Sequence, residues 1–301
     1  MLTSKKKGWS FEILDAVFAA GINAFDSAHV YGGGDCDRVF GEWVQSRSLR
    51  SEIVLLDKGG HSHGEHNRVT PVDLTADLED CLERLGFETI DIYALHRDDP
   101  SQPVGPIIEE LNKHVKSGKI LSFGASNWTH ERIREANLYA KEHDLQGFAL
   151  SSPNYCLAEQ IDDPWGNSTT ITGAGGSAGL DYYADSGLPL FPWSSLAGGL
   201  FSGRFTRDNL DSFEDPSDQR CVRCYCSPSN FDRLDRAKII ADERGVSIAQ
   251  VALTWILTDP LDCFPLTAAW TPGEATQNAA SVEMDLSDSD RAWLSLDRDE
   301  R

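Results

Sequence analysis

Short apolar runs alternate with amphipathic helical segments along most of this 301-residue chain, and this alternation constrains the fold most strongly. Residues 53–56, 89–95 and 120–125 are short enough for buried strands, and a segment with helical periodicity follows each of them. Pro71 and Gly86 bracket one such helical segment in the positions expected of a first turn and a C-terminal cap. Strands that alternate with helices form parallel βαβ units, so the pattern predicts an α/β protein whose parallel sheet is covered on both faces.

The number of strand-like segments is one short of a closed (β/α)8 barrel, which needs eight. The strand-like segments are residues 22–25, 53–56, 89–95, 120–125, 147–150, 188–193 and 263–266. Because a helical segment comes before the first of them, the lacking strand is the first one. No change of composition marks a boundary, so we predict a single TIM-type barrel domain over residues 1–301 without its first strand. Residues 156–187 and 202–229 are predicted to be irregular loops over the carboxyl ends of the strands.

Composition excludes several classes of partner. The formal net charge of −21 repels nucleic acid and anionic lipid, so neither is an expected partner. No apolar stretch is long enough to span a bilayer, and no apolar region follows the basic N-terminal residues as it would in a secretory signal. Seven scattered cysteines are typical of a reducing compartment, and we predict a cytoplasmic protein.

The histidines and cysteines offer two groups that could bind a metal, and we predict that neither does. Cys221, Cys224 and Cys226 cluster in sequence, but no fourth nearby ligand completes a zinc site. The histidines His61, His63 and His66 follow the second strand-like segment, where they are expected to line a substrate entrance or face solvent.

Polar residues follow four of the strand-like segments. Asp26, Lys58 and His96 close three of them, Ser126 and Asn127 follow a fourth, and Tyr31 lies five residues after Asp26. In a parallel barrel, functional groups gather where strands end and loops begin. A phenol beside a lysine and a histidine can act as a proton donor, so this set of side chains indicates carbonyl reduction.

These motifs, taken together, resemble the aldo-keto reductase family. The motifs are F-D-S-A-H-V-Y-G-G-G at 25–34, L-L-D-K-G-G at 55–60, I-Y-A-L-H-R-D-D at 92–99 and F-G-A-S-N-W at 123–128. The resemblance extends from Trp9 over essentially the whole chain. It implies NAD(P)H-dependent, reversible reduction of an aldehyde or ketone to the alcohol, a small-molecule carbonyl substrate and no metal.

The resemblance also assigns roles to the four catalytic candidates. Tyr31 is the general acid, which protonates the carbonyl oxygen as hydride reaches the carbon. Lys58, held by Asp26, is expected to lower the pKa of the phenol, and His96 to polarise the carbonyl by donating a hydrogen bond.

A larger set of residues corresponds to the cofactor site of the family. The set comprises Ser126, Asn127, Ser152, Trp193, Ser194, Leu196, Ala269, Trp270, Thr271, Glu274 and Asn278. Ser126 and Asn127 correspond to partners of the nicotinamide carboxamide, and Ser152 occupies a position where the family usually has glutamine. Trp193 corresponds to the aromatic residue that stacks on the nicotinamide.

The segment that corresponds to the adenosine site lacks basic residues. Residues 266–278 contain no Lys or Arg, and Glu274 introduces a carboxylate. A carboxylate repels the 2′-phosphate of NADPH, whereas it accepts hydrogen bonds from the 2′-hydroxyl of NADH. We therefore expect either NADP(H) or NAD(H) as cofactor, with a weakened preference for NADPH, and Trp270 as a residue that could stack on adenine.

The N-terminal segment departs from the family pattern. Family members place a β-hairpin and a first barrel strand before the helix that begins here near Trp9, and only eight residues precede Trp9. Three explanations stay open: a misassigned start, an open barrel that tolerates the loss, and a truncated relative that does not turn over. The alternative function is accordingly a non-catalytic regulatory or interaction protein on the same scaffold.

Overall fold

The computed structural model describes residues 1–64 and 66–301, which divide into two compact units. The first unit comprises Met1–Ser152 with Trp270–Pro272, and the second comprises Pro153–Ala269 with Gly273–Arg301. The single barrel domain over residues 1–301 stays a prediction.

A five-stranded parallel sheet forms the centre of the first unit. Its strands, in spatial and chain order, are β1 (Ala24–Asp26), β2 (Val54–Gly59), β3 (Ile90–Leu95), β4 (Ile120–Ser126) and β5 (Ser151–Ser152). Every neighbouring pair is parallel, with Asp26 opposite Leu56 and Gly59 opposite Leu95. The expectation of an α/β fold with a parallel sheet is confirmed.

One helix precedes β1, and four helices connect the successive strands of this sheet. They are α1 (Lys7–Ala19), α2 (Asp35–Arg47), α3 (Pro71–Leu85), α4 (Val104–Lys116) and α5 (His130–Glu142). Their ends follow local sequence rules: Thr70 caps α3 by accepting a hydrogen bond from the Asp73 amide, and Gly86 ends it with a φ of 66°. Thr129 caps α5 in the same way.

One edge of the sheet is open among the described residues. No described strand pairs with β1 on the side away from β2, and both Ala24 and Asp26 are exposed. The number of strands in the barrel and the lack of its first strand stay predictions.

The second unit has short β-bridges where two strands were predicted. Leu190 pairs with Cys263 in a parallel bridge, and Trp193 pairs with Asn154. The Phe264 and Leu266 amides donate to the Leu190 and Pro192 carbonyls at 2.7 and 2.9 Å, so the parallel direction is as expected while regular strands do not form. The fifth predicted strand also shifts, from residues 147–150 to β5.

Helices fill much of the second unit. They are α6 (Ser177–Ser186), α7 (Pro216–Tyr225), α8 (Pro228–Arg244), α9 (Ile248–Leu257), α10 (Pro272–Ala279) and α11 (Asp288–Leu294). The sequence prediction of irregular loops at 156–187 and 202–229 is wrong in part, because α6 and α7 lie within them. None of the described helices combines the length and apolar character that a membrane crossing requires.

Candidate active site

The ends of β1, β2 and β3 bring four side chains together. Asp26 ends β1, Lys58 is the penultimate residue of β2, and His96 directly follows β3. The His96 amide donates to the Gly59 carbonyl at 2.7 Å, which fixes its backbone against β2. Tyr31 lies in the loop after β1, where its amide donates to the Ala28 carbonyl at 2.9 Å. The parallel sheet therefore brings together, at the carboxyl ends of its strands, residues that are up to seventy positions apart in sequence.

Three consecutive glycines follow Tyr31 and form the turn between it and α2. Gly32, Gly33 and Gly34 have φ values of 60°, 64° and 87°, a left-handed conformation that favours glycine. A Cβ atom on Gly34 would lie 2.7 Å from the Arg84 guanidinium carbon. The glycines thus allow a turn that leads directly from Tyr31 into α2.

Lys58 is the central charge of the site. Its side chain is 3% exposed, and its Nζ makes a close ion pair with Asp26 and donates to the Ser27 carbonyl at 2.8 Å. Burial alone would lower the pKa of Lys58, but Asp26 and Tyr31 together raise it above the ordinary lysine value. The ammonium therefore stays charged although it is buried.

Tyr31 lies directly against this ammonium. Lys58 Nζ lies 5.1 Å from the centre of the Tyr31 ring. The ring is half-buried at the surface of the unit, yet enough protein surrounds it for burial to raise the pKa of the phenol, while Lys58 opposes the rise. The lysine thus acts in the direction expected from sequence, but in the free protein the net shift is upward, so Tyr31 carries its proton at neutral pH.

His96 stands beside Tyr31 as a neutral imidazole. The two ring centres are 5.7 Å apart, with the rings nearly perpendicular. Burial, reinforced by the positive charges of Lys58 and Arg97, holds the pKa of His96 well below its usual range. Its Nδ1 is buried without a hydrogen-bond partner among the described residues. Because a buried N–H without an acceptor is rare, the proton belongs on Nε2, which leaves that atom as a donor.

Ser126, Asn127 and Ser152 form a second polar group at the ends of β4 and β5. Asn127 Nδ2 donates to Ser126 Oγ and to the His96 carbonyl, both at 3.1 Å, which connects this group to the first. Ser126 Oγ donates to the Ser152 carbonyl at 3.0 Å. The Ser152 hydroxyl is buried and has no hydrogen-bond partner among the described residues. A carboxamide, which both donates and accepts, is a chemical match for these groups.

The other cofactor candidates fall in both units. In the first unit, exposed Trp270 stacks on Trp9 with ring centres 5.8 Å apart, and Thr271 follows it. In the second unit, Trp193 is half-buried and its ring centre lies 4.9 Å from that of Trp165. Ser194 and Leu196 continue this segment, with Ser194 at a φ of 53°.

Three further candidates lie near α10 in the second unit. Ala269 is half-buried, and Glu274 is exposed in the first turn of the helix. Asn278 is buried, and its Nδ2 donates to the Ala268 carbonyl at 3.2 Å and to Thr267 Oγ1 at 3.3 Å. Asn278 therefore braces the backbone of the segment that precedes the helix.

Among the described residues, one buried cluster of groups that could bind a metal lies at β2. Ligand atoms of Asp37, Asp57 and Cys81 lie within 4.8 Å of one another, and all three side chains are buried. One oxygen of each carboxyl group has no hydrogen-bond partner in the described part of the chain. Burial, with the nearby Asp37 carboxyl group, raises the pKa of Asp57 to about 8. We therefore interpret the cluster as buried carboxyl groups of which Asp57 carries a proton, and not as a metal site.

Replacing Asp57 with asparagine is expected to flatten the dependence of stability on pH. Between about pH 4 and pH 8 the folded protein retains a proton on Asp57 that the unfolded chain releases, so the free energy of unfolding falls by up to about 1.4 kcal/mol per pH unit as pH rises. Asparagine removes this titration. Denaturant unfolding of both proteins at pH 5 and pH 8 measures the effect, with Asp208→Asn, at an exposed position, as control. Stoichiometric metal in the purified wild-type protein would contradict the interpretation.

Sequence reasoning missed one residue of the site, Arg97, and left the place of another, His61, open between a substrate entrance and solvent. Arg97 is buried, donates from NH1 to the His96 carbonyl at 3.0 Å and lies close enough to affect the pKa of Tyr31, His61 and His96. Its position directly after His96 was the available signal. His61 lies against His96, with ring centres 4.9 Å apart.

Comparison with known sequences identifies the family. Residues 3–295 match the aldo/keto reductase family. An aldo-keto reductase of Strobilurus tenacellus is 30% identical over 258 residues, which cover 82% of this chain and 68% of that protein. A probable voltage-gated potassium channel subunit beta of Oryza sativa subsp. japonica is 27% identical over 286 residues, covering 90% of this chain and 81% of that protein.

A solved structure shares the fold. The aldo-keto reductase from Klebsiella pneumoniae in complex with NADPH aligns with a TM-score of 0.71 and 22% identity, covering 99% of this chain and 87% of that one. The resemblance inferred from the sequence motifs is confirmed. The chain therefore belongs to the aldo/keto reductase family of NAD(P)-dependent oxidoreductases.

Proposed function

We propose that the protein reduces an aldehyde or ketone to the alcohol with NAD(P)H, and that Tyr31 is the general acid. The observation that carries this proposal is the buried, charged Lys58, which contacts Asp26 and faces the ring of Tyr31. A buried ammonium with one carboxylate and one phenol beside it is an arrangement that favours transient negative charge on the phenol.

The reaction needs hydride, which the reduced nicotinamide supplies to the carbonyl carbon when it is bound. Tyr31 donates its proton to the carbonyl oxygen, and Lys58 stabilises the phenolate that remains. Asp26 keeps Lys58 charged and oriented. His96, neutral and with its proton on Nε2, donates a hydrogen bond that polarises the carbonyl before transfer.

The residues around Ser152 support nicotinamide as the cofactor. The Ser152 hydroxyl, which has no hydrogen-bond partner in the described part of the chain, and the linked pair of Ser126 and Asn127 offer both donors and acceptors for a carboxamide. Trp193, which Ser194 and Leu196 follow in sequence, is proposed to stack on the nicotinamide. The segment from Ala269 to Asn278 is proposed to hold the adenosine end of the cofactor. These assignments rest on the family motifs.

A non-catalytic interaction role is the competing function, because some relatives of similar identity are named as potassium channel subunits. The assembled tetrad favours catalysis. Titration with NADPH and NADH, followed by tryptophan fluorescence, and then turnover of an aldehyde and ketone panel would distinguish the two. Saturable cofactor binding with turnover supports the enzyme, whereas cofactor binding without turnover of any carbonyl supports the competing role.

Cofactor preference is expected to be weak and to depend on Glu274. Its exposed carboxylate lies in the first turn of α10, where it offsets the attraction of a helix N-terminus for an anion. We expect the affinities for NADPH and NADH to agree within about tenfold. Glu274→Arg should raise NADPH affinity by about five- to tenfold and lower NADH affinity by about two- to fivefold, because the acceptor for the 2′-hydroxyl is lost. Fluorescence titration measures both, with Glu283→Arg as the control. A wild-type preference for NADPH far above tenfold would contradict this expectation.

A further inference from the structure

His61 extends the row of side chains that begins with Tyr31 and His96. The ring centre of His96 lies 5.7 Å from that of Tyr31 and 4.9 Å from that of His61, and both contacts are edge-to-face. His61 follows β2 by two residues, so the strand that presents Lys58 also positions it. The other two histidines of the loop behave differently: His63 and His66 are exposed and pair with each other through their backbones.

The hydrogen bonding of His61 determines what it can offer a ligand. Its Nδ1 lies 2.9 Å from the Ser62 carbonyl oxygen, which can only accept, so Nδ1 carries the proton. Nε2 of the neutral ring is then an acceptor. Among the described residues no group hydrogen-bonds to Nε2, and it is not one of the fully buried atoms. Burial together with Arg97 also lowers the pKa of His61, which keeps the ring neutral.

The row therefore presents two donors followed by one acceptor. Tyr31 and His96 Nε2 are suited to a carbonyl oxygen, which accepts hydrogen bonds. His61 Nε2 is suited to a hydroxyl, which donates one. A carbonyl compound with a hydroxyl group on the adjacent carbon carries these groups in the same order.

We propose that His61 is a specificity-determining residue that accepts a hydrogen bond from an α-hydroxyl group, so that the preferred substrates are α-hydroxy aldehydes or ketones, including open-chain sugars. This inference rests on the proposed carbonyl reductase function. It concerns the preference between substrates, whereas Tyr31 and Lys58 determine the chemical step. Losing an acceptor for a substrate hydroxyl typically reduces discrimination by about five- to tenfold.

The test compares lactaldehyde with propanal, which differ by one hydroxyl group on the carbon next to the carbonyl. The measured quantity is the ratio of kcat/KM for lactaldehyde to that for propanal. We expect His61→Phe, which keeps an aromatic ring but removes the acceptor, to lower this ratio by about five- to tenfold. His61→Gln, which keeps an acceptor without the ring, should retain most of the preference. His63→Phe is the matched control in the same loop and should leave the ratio unchanged.

The outcomes separate the two proposals. Turnover of both aldehydes with the same ratio in the wild type and in His61→Phe would overturn the role of His61 while the proposed function stands. Loss of the preference in His61→Gln but not in His61→Phe would also overturn it, because the ring and not the acceptor would then matter. Turnover of neither aldehyde, nor of any other carbonyl, by the wild-type protein would overturn the proposed function and this inference with it.

Discussion

Replacing Tyr31 with phenylalanine is expected to lower the rate of carbonyl reduction by about a thousandfold, within the range of about 10² to 10⁴ that a positioned general acid contributes. The ring and its contact with His96 are retained, and only the hydroxyl that gives the proton is lost. Cofactor affinity should change by less than about twofold, since no cofactor role is assigned to the hydroxyl. Single-turnover kinetics of NADPH oxidation, together with a cofactor titration, measure both quantities.

Tyr93→Phe provides the matched control for this change. Tyr93 is fully buried in β3, and its hydroxyl has no hydrogen-bond partner among the described residues. Removing that hydroxyl should leave turnover unchanged and stability equal or slightly higher, because an unpaired buried polar group is costly. If Tyr31→Phe turned over as fast as the wild type, Tyr31 would not be the general acid.

Replacing Lys58 with methionine should strongly reduce activity and also destabilise the first unit. The change removes the charge that stabilises a Tyr31 phenolate, so we expect a loss in kcat of about 10² to 10³ or more. It also leaves Asp26 without its ion-pair partner. Breaking a fully buried ion pair costs about 3–5 kcal/mol, and the cost here should fall near or below the lower end because the Asp26 side chain is 23% exposed. Denaturant unfolding and steady-state kinetics measure the two effects.

The double variant Asp26→Asn with Lys58→Met separates stability from catalysis. Removing both charges should recover part of the lost free energy of unfolding, while activity stays as low as in Lys58→Met because the ammonium is still missing. Lys119→Met, which breaks an exposed pair with Glu79, should cost less than about 1 kcal/mol and leave turnover unchanged. Recovery of activity in the double variant would contradict the role assigned to Lys58.

The parts of the site that sequence could predict are those that follow directly from strand ends. Asp26, Lys58 and His96 each close an apolar run, and parallel strands place their carboxyl ends at one edge, so the proximity of these side chains could be anticipated. Family motifs identified Tyr31 and the pair of Ser126 and Asn127. The bounds of α3 followed from Pro71 and Gly86, whose effects on the backbone are local.

The remaining features depend on contacts between distant residues, which a single sequence does not reveal. Asp57 lies on a strand, whereas Asp37 and Cys81, which lie close to it, are on two different helices. The raised pKa of Asp57 depends on the burial of these side chains together. The contact of His61 with His96 joins two separate loops. The predicted strands at 188–193 and 263–266 have apolar runs, but their pairing is limited to isolated bridges. In α6, glycine, serine and aspartate obscure the helical periodicity, and in α7 only Cys221, Cys224 and Tyr225 form the buried face of a mostly polar segment.

Hydride transfer itself tests the central claim most directly. Incubating the protein with lactaldehyde, propanal or another carbonyl compound that it turns over, and with NADPH or NADH carrying deuterium at either face of C4, allows the alcohol to be analysed by mass spectrometry. We predict that the cofactor labelled at one face of C4, and not the one labelled at the other face, places a single deuterium on the carbinol carbon. Tyr31→Phe should form this product at about a thousandth of the wild-type rate. Cofactor oxidation without deuterium in any alcohol product, or no oxidation at all with a fully folded protein, would contradict carbonyl reduction by this chain.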